Sequence, residues 1–116
     1  MEVPAPIIVA GDFNHDLSED HRGFEDLQDA FDVAFENRPD ESRETHITFF
    51  NDGVQRRTQL DGVFLANASK LFVRRAFVMK ELSATGLPLS WPDSMQERNE
   101  RASDHLPVWV RFQFRH

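Results

Sequence analysis

Ile7-Ile8-Val9-Ala10-Gly11-Asp12-Phe13-Asn14 is the stretch on which the fold turns. Four apolar residues closed by a glycine read as a short buried strand with a polar tip. In an extended chain, side chains two apart share a face. Asp12 and Asn14 are therefore expected to emerge together while Phe13 turns back into the core. Gly11 lets the backbone bend or come close to a ligand. A carboxylate at the end of a strand can bind a cation or take a proton from water, and a neighbouring amide can donate hydrogen bonds to a phosphoryl oxygen. A strand end followed by an Asx turn accounts for the same residues without any chemistry.

Downstream, residues 15–22 are polar and read as a loop, with Ser18 or Asp20 as a helix cap. Phe24, Leu27, Phe31, Ala34 and Phe35 recur at helical spacing, which predicts a core-facing helix of about three turns, with a break near Asp29. Residues 37–44 read as a charged loop. His46–Phe50 reads as a strand, Asn51-Asp52-Gly53 as a tight hairpin turn, and Arg57–Leu65 as the returning strand. Alternation places Leu60, Gly62 and Phe64 on one face and Asp61, Val63 and Leu65 on the other. Asp61 is thus a carboxylate among apolar neighbours, which is costly without a partner. Asn67–Lys70 reads as a turn, Leu71–Met79 as a strand, and residues 81–102 as a long loop with a helical turn near Met95. In the last strand Val108, Val110, Phe112 and Phe114 alternate with Trp109, Arg111 and Gln113, directly after Ser103-Asp104-His105-Leu106-Pro107.

The chain of 116 residues is one domain or part of one, and 40% hydrophobic content with eleven phenylalanines supplies a core. It contains no cysteine, so neither a disulfide framework nor a zinc–thiolate site is available. No long apolar run, leader or lipidation signal is visible, so the sequence reads as a soluble, cytoplasmic protein without a membrane partner. The net charge is −7, and it is concentrated: residues 12–44 hold twelve Asp/Glu against three Arg. Such a surface argues against holding a polyanion by charge alone, but not against a phosphate bound through a metal ion.

Asp12 with Asn14, Asp61, and Asp104 with His105 are the polar groups at strand ends or on a buried face. Hydrolysis of a phosphate ester needs a cation to neutralise the phosphoryl charge, a base to align water, and a donor to stabilise the transition state. These residue types suit all three tasks. Oxygen ligands favour magnesium or manganese over zinc, and Asp61 can orient and charge-stabilise His105. Separate structural roles for each group are the alternative. His15, His21 and His46 are candidates to line the site but read as surface or loop histidines. Arg56-Arg57 and Arg74-Arg75, candidates for phosphate contacts, read as solvated edge charges, and Trp91 and Trp109, candidates to stack on a base, read as packing residues.

Gly-Asp-Phe-Asn at 11–14, Gln-Leu-Asp-Gly-Val-Phe at 59–64 and Ser-Asp-His-Leu-Pro-Val at 103–108 occur in order. Together they resemble the carboxyl-terminal motifs of the endonuclease/exonuclease/phosphatase superfamily, which has the DNase I-like fold. The resemblance runs through nearly the whole chain, and Thr48-Phe49 and the final strand also fit it. It implies that Asp12 activates or positions the attacking water, that Asn14 binds the scissile phosphate, and that Asp61 pairs with a catalytic His105. It also implies that Asp104, with Asp12, lies at a Mg2+ or Mn2+ ion. Gly62 departs from the pattern, since relatives usually carry an aromatic residue there. A larger departure is that the amino-terminal half of the family, with its metal-binding glutamate, has no counterpart here.

The expected fold is therefore α/β, roughly half of a DNase I-like sandwich, with one mostly antiparallel sheet and a helical layer over residues 1–116. The expected function is a metal-dependent phosphoesterase, acting on a phosphomonoester or phosphodiester such as nucleic acid, or a fragment of one that is weak or inactive alone. A non-catalytic remnant or interaction module is the alternative. An uncovered inner face is a liability, so a homodimer or a separate amino-terminal half is the expected partner.

Overall fold

The computed structural model describes residues 5–50, 53–67 and 71–114. Within them the elements run β1 (Ile7–Asp12), β2 (Gln28–Asp29), α1 (Ala30–Ala34), β3 (His46–Phe49), β4 (Gln55–Thr58), β5 (Asp61–Ala66), β6 (Leu71–Val78), α2 (Met95–Asn99) and β7 (Val108–Phe114). All strand pairings are antiparallel, in three small sheets ordered β1-β5-β2, β3-β4 and β6-β7. The molecule is thus mixed and strand-rich. The antiparallel character agrees with the sequence, whereas the single sheet and the helical layer do not, because the only described helices are two five-residue segments.

The single sheet fails at residues 59–61. A continuous strand over Arg57–Leu65 would need these backbone N–H groups for its ladder. Instead Asp16 Oδ1 accepts from Gln59 N at 3.1 Å, and the Thr45 hydroxyl accepts from Leu60 N and Asp61 N, each at 3.2 Å. With those donors satisfied by side chains, the chain leaves β4 and restarts as β5 in a different sheet.

β5 is the centre of the molecule, and its alternation is as read from the sequence. Val63 and Leu65 join Ala30, Phe31, Phe35, Leu71, Val73 and Ala76 in the main core, against which Val108, Val110 and Phe112 of β7 also pack. Gly62 and Phe64 face the other way, toward Leu17, Phe13 and Phe24. Phe114 lies outside this packing, exposed near the strand end.

The expected long helix is reduced to α1. Asp29 is its N-cap, accepting from Phe31 N at 2.8 Å, so the break near Asp29 is where the helix begins. Phe24 and Leu27 lie in turns before it, and Phe24 stacks on Phe64 with centroids 5.4 Å apart. Apolar spacing here reflects burial against two sides of β5, not one helical face. Ser18 and Asp20 cap no helix: Ser18 donates to Asp16, and Asp20 accepts from Arg22 N in loop turns. The helical turn near Met95 is α2, capped by Ser94. Asn51 and Asp52 of the expected hairpin turn, and residues 68–70 of the turn after β5, lie outside the described residues.

The buried character expected of β1 is also corrected. β1 pairs only with β5 among the described strands, and Ile7 and Ile8 are 52% and 48% exposed. A strand with one neighbour leaves its other edge and part of its apolar side chains uncovered. No helix among the described residues is long and apolar enough to cross a membrane.

Candidate active site

The antiparallel register of β1 on β5 sets Asp12 directly opposite Asp61. Gly11, at φ +148, supplies a backbone conformation that other residues rarely adopt, and β1 ends one residue later. Phe13 turns inward, with its ring 5.0 Å from Phe24 and 5.3 Å from Phe64. Asn14 does not continue the extended alternation. At φ +50 it is left-handed, and its N–H donates to Asp12 Oδ1 at 2.8 Å, which is the Asx turn. Its side chain is exposed beside that carboxylate.

His105 reaches the same place from far along the chain. Leu106 N donates to Thr45 O at 2.7 Å, and His105 bridges to His46 as an isolated antiparallel pair. Its Nδ1 lies 2.7 Å from Asp61 Oδ2. An ionised carboxylate only accepts, so the hydrogen sits on Nδ1 and the ring is held with Nε2 outward. Nε2 is 3.8 Å from Asp12 Oδ2 and 3.9 Å from Asp104 Oδ1. Burial works against charging the imidazole. The hydrogen bond to Asp61 and the negative charges of Asp61, Asp104 and Asp12 outweigh it and raise the His105 pKa above the ordinary 6.5.

Asp104 is already partnered. Arg98 Nη2 donates to its Oδ2 at 2.7 Å, and His46 Nε2 lies 3.2 Å from the same oxygen. Burial pushes its carboxyl up, but the bonds from His46 and Arg98 and the nearby histidine charges bring it below the usual 3.8. The structure therefore gathers Asp12, Asp61, Asp104 and His105, with Asn14 tied to Asp12 through its backbone.

His46 joins them, its ring 4.7 Å from that of His105. Nothing in the spacing of His46 signals this, because the pairing of β3 with the segment before β7 is a tertiary fact. The other two histidines among the described residues are also held rather than free. His15 pairs with Asp20 at 2.8 Å, and His21 pairs with the buried Asp29 at 3.2 Å while packing edge-on against Phe64.

Among the described residues three groupings place ligand atoms within 4.8 Å of one another; His21, Asp29 and Asp32 lie elsewhere, and two belong to this site: Asp12, Asp61 and His105, and His46, Asp104 and His105. Asp61 Oδ2 and His105 Nδ1 occupy each other, and Asp12 and Asp104 fall in separate groupings on either side of His105 Nε2, so a hard cation can take one carboxylate directly and reach the other through water. Magnesium is commonly held through one or two carboxylates with water completing the shell, and this donor set fits that pattern. The Arg98 guanidinium competes for Asp104. Comparison with family models, with curated proteins and with solved structures finds no match to this chain.

Proposed function

We propose that this chain carries part of a metal-dependent phosphoester hydrolysis site, formed by Asp12, Asn14, Asp61, Asp104 and His105. The observation that carries the reading is the line Asp61–His105–Asp12: one carboxylate fixes the imidazole, and a second faces its free nitrogen. Asp12 takes the proton of the attacking water as the bond from phosphorus to the leaving oxygen breaks, and the leaving oxygen is protonated from solvent. His105, whose protonated form the surrounding carboxylates favour, presents Nε2–H to a phosphoryl oxygen when protonated and stabilises the charge that develops there. Asn14 supplies an amide donor for the same group. A Mg2+ or Mn2+ ion held by one of Asp12 and Asp104 directly and by the other through water would neutralise the phosphate and polarise its oxygen.

The exposed edge of β1 supports a partner at this site. A second copy pairing along that edge would cover Ile7 and Ile8 and bring further groups beside Asp12. A phosphate ester is the substrate class, with nucleic acid one form of it, and the half-site reading favours weak activity for the chain alone. The DNase I-like architecture belongs to this proposal and is supported by the antiparallel sheets and the motif order.

One observation favours a non-catalytic module instead. Arg98 neutralises Asp104 from within the protein, and the Asp61–His105 bond would then serve only to pin β5 to the segment before β7. Hydrolysis of a phosphomonoester and phosphodiester panel with Mg2+ or Mn2+, run at several protein concentrations, separates the two. Activity that vanishes in Asp12→Ala and His105→Ala is the expected result, rising faster than linearly with concentration if association completes the site. Equal rates in parent and both variants overturn the role assignments. Absence of Asp12-dependent Mn2+ binding favours the module.

A further inference from the structure

Asp104 has a second environment. It also lines a cavity of about 530 Å³ between the β3–β4 hairpin, the end of β6 and the loop carrying α2, within the range of about 300–1,000 Å³ of ligand pockets. We propose that this cavity receives the organic group of the phosphate ester, and that this group is an uncharged aromatic ring bearing a hydrogen-bond acceptor. The inference rests on the phosphoesterase reading for its phosphate end only.

Three features define the ligand. The first is a stacking platform: Trp91 lines the cavity with the Arg57 guanidinium 5.4 Å from its ring centroid. A π surface beside a guanidinium plane attracts another planar ring more than it attracts an alkyl chain. Ile47, Leu89 and Leu106 complete an apolar surround. The second is an unmet donor. Arg98 lines the cavity, and its Nε is buried with no hydrogen-bond partner among the described residues. A buried guanidinium N–H without an acceptor is costly, and a side-chain shift that opens it to the cavity would let an oxygen on the ligand relieve it. The third is charge balance. Arg57, Lys80, Arg98 and Arg101 face the space, but so do Glu41, Glu44, Glu81, Asp93 and Asp104. Four cations against five carboxylates leave no net positive charge to hold a second phosphate, so the part of the ligand held here is neutral. Because Asp104 belongs to both places, a single ester can set its phosphoryl group at His105 and its ring at Trp91.

Equilibrium dialysis of 4-nitrophenyl phosphate, with divalent metal chelated so that no turnover occurs, tests this directly. Inorganic phosphate and hexyl phosphate serve as comparators. Parent protein is expected to bind the nitrophenyl ester at least tenfold more tightly than either comparator. Trp91→Ala and Arg57→Ala should each weaken it about tenfold, the scale of one lost aromatic contact. Arg57 lies on an exposed stretch of β4, so its variant keeps the fold even if Trp91→Ala does not. His105→Ala should lose hydrolysis, and the ester binding it retains should still depend on Arg57 and Trp91. Unchanged binding in Arg57→Ala and in a folded Trp91→Ala overturns the cavity assignment, as does equal affinity for hexyl phosphate. Ester binding that depends on Arg57 and Trp91, in a protein that hydrolyses nothing, would support the cavity and remove the phosphoesterase reading.

Discussion

Gly62 sits directly beneath the site, next to Asp61 and opposite Gly11, and replacing it with alanine is the most direct test of how the site is supported. A Cβ built there falls 2.6 Å from Leu17 Cδ1, 3.3 Å from a Phe64 ring carbon and 3.6 Å from a Phe13 ring carbon. Ordinary carbon contacts lie near 3.5–4.0 Å, so Leu17 must retreat by about 1 Å. It has little room to do so, being 4% exposed, with its N–H bonded to Gln59 O at 2.8 Å. Overpacking of this kind costs about 1–3 kcal/mol. Removing a strand glycine returns about 0.5–1 kcal/mol. The net expectation for Gly62→Ala is a loss of roughly 0.5–2 kcal/mol, or a fall in Tm of roughly 2–8 °C, read by thermal denaturation followed by circular dichroism. The double variant Leu17→Ala/Gly62→Ala should be less destabilised than the sum of the two single changes, because the new methyl fills part of the space that Leu17 vacates. A Gly62→Ala protein as stable as parent, or more so, would refute the packing described beneath Asp12 and Asp61. The same contacts explain why no aromatic residue fits at this position: Leu17, Phe13 and Phe64 already occupy the space.

Gly11→Ala meets no atom within 4 Å but must adopt φ +148, so it should cost about 1–3 kcal/mol through backbone strain alone, measurable by urea unfolding. Asp61→Asn keeps an acceptor for His105 Nδ1 but removes the charge. A histidine proton titration by NMR should show the raised pKa of His105 moving down, and any hydrolytic rate should fall about 10- to 100-fold, the equivalent of a charged hydrogen bond of about 1.5–3 kcal/mol. The folded pKa of His105 lies above its unfolded value, so its contribution to stability is full below about pH 6.5 and is lost as pH rises through the folded pKa. Hydrolysis that needs the imidazolium should decline over the same upper range. Burial, followed by the nearby charge of Asp32, raises the Asp29 carboxyl above 3.8, so its contribution is likewise present at acid pH and lost as pH rises through its folded pKa. Asp29→Asn retains the cap on Phe31 N and should therefore be at least as stable as parent at pH 7, with the difference closing toward acid in a denaturant series at several pH values.

Local chemistry was legible in the sequence wherever a residue needed only its neighbours. The alternation of β5 and β7, the helical turn near Met95, the inward Phe13 and the need of Asp61 for a partner all follow from periodicity and from the cost of burying a carboxylate. The grouping of Asp12, Asp61, Asp104 and His105 was reached through the order of three motifs, and the structure brings those four together.

Other features were decided by contacts between distant segments. Thr45 and Asp16 take the N–H groups of residues 59–61 and split one expected strand between two sheets. Asp29 ends the helical pattern because its carboxylate finds Phe31 N and His21. β1 is apolar in sequence yet exposed, since burial depends on whether another strand lies alongside and not on the strand's own residues. His46 enters the site, and Arg98 neutralises Asp104, through registers that join positions 58 and 6 residues apart. Sequence alone determined which side chains could do chemistry, because charge, shape and hydrogen-bonding capacity belong to each residue. Tertiary structure decided which of them meet, because proximity across a folded chain is set by packing and by the competition of every backbone donor for an acceptor.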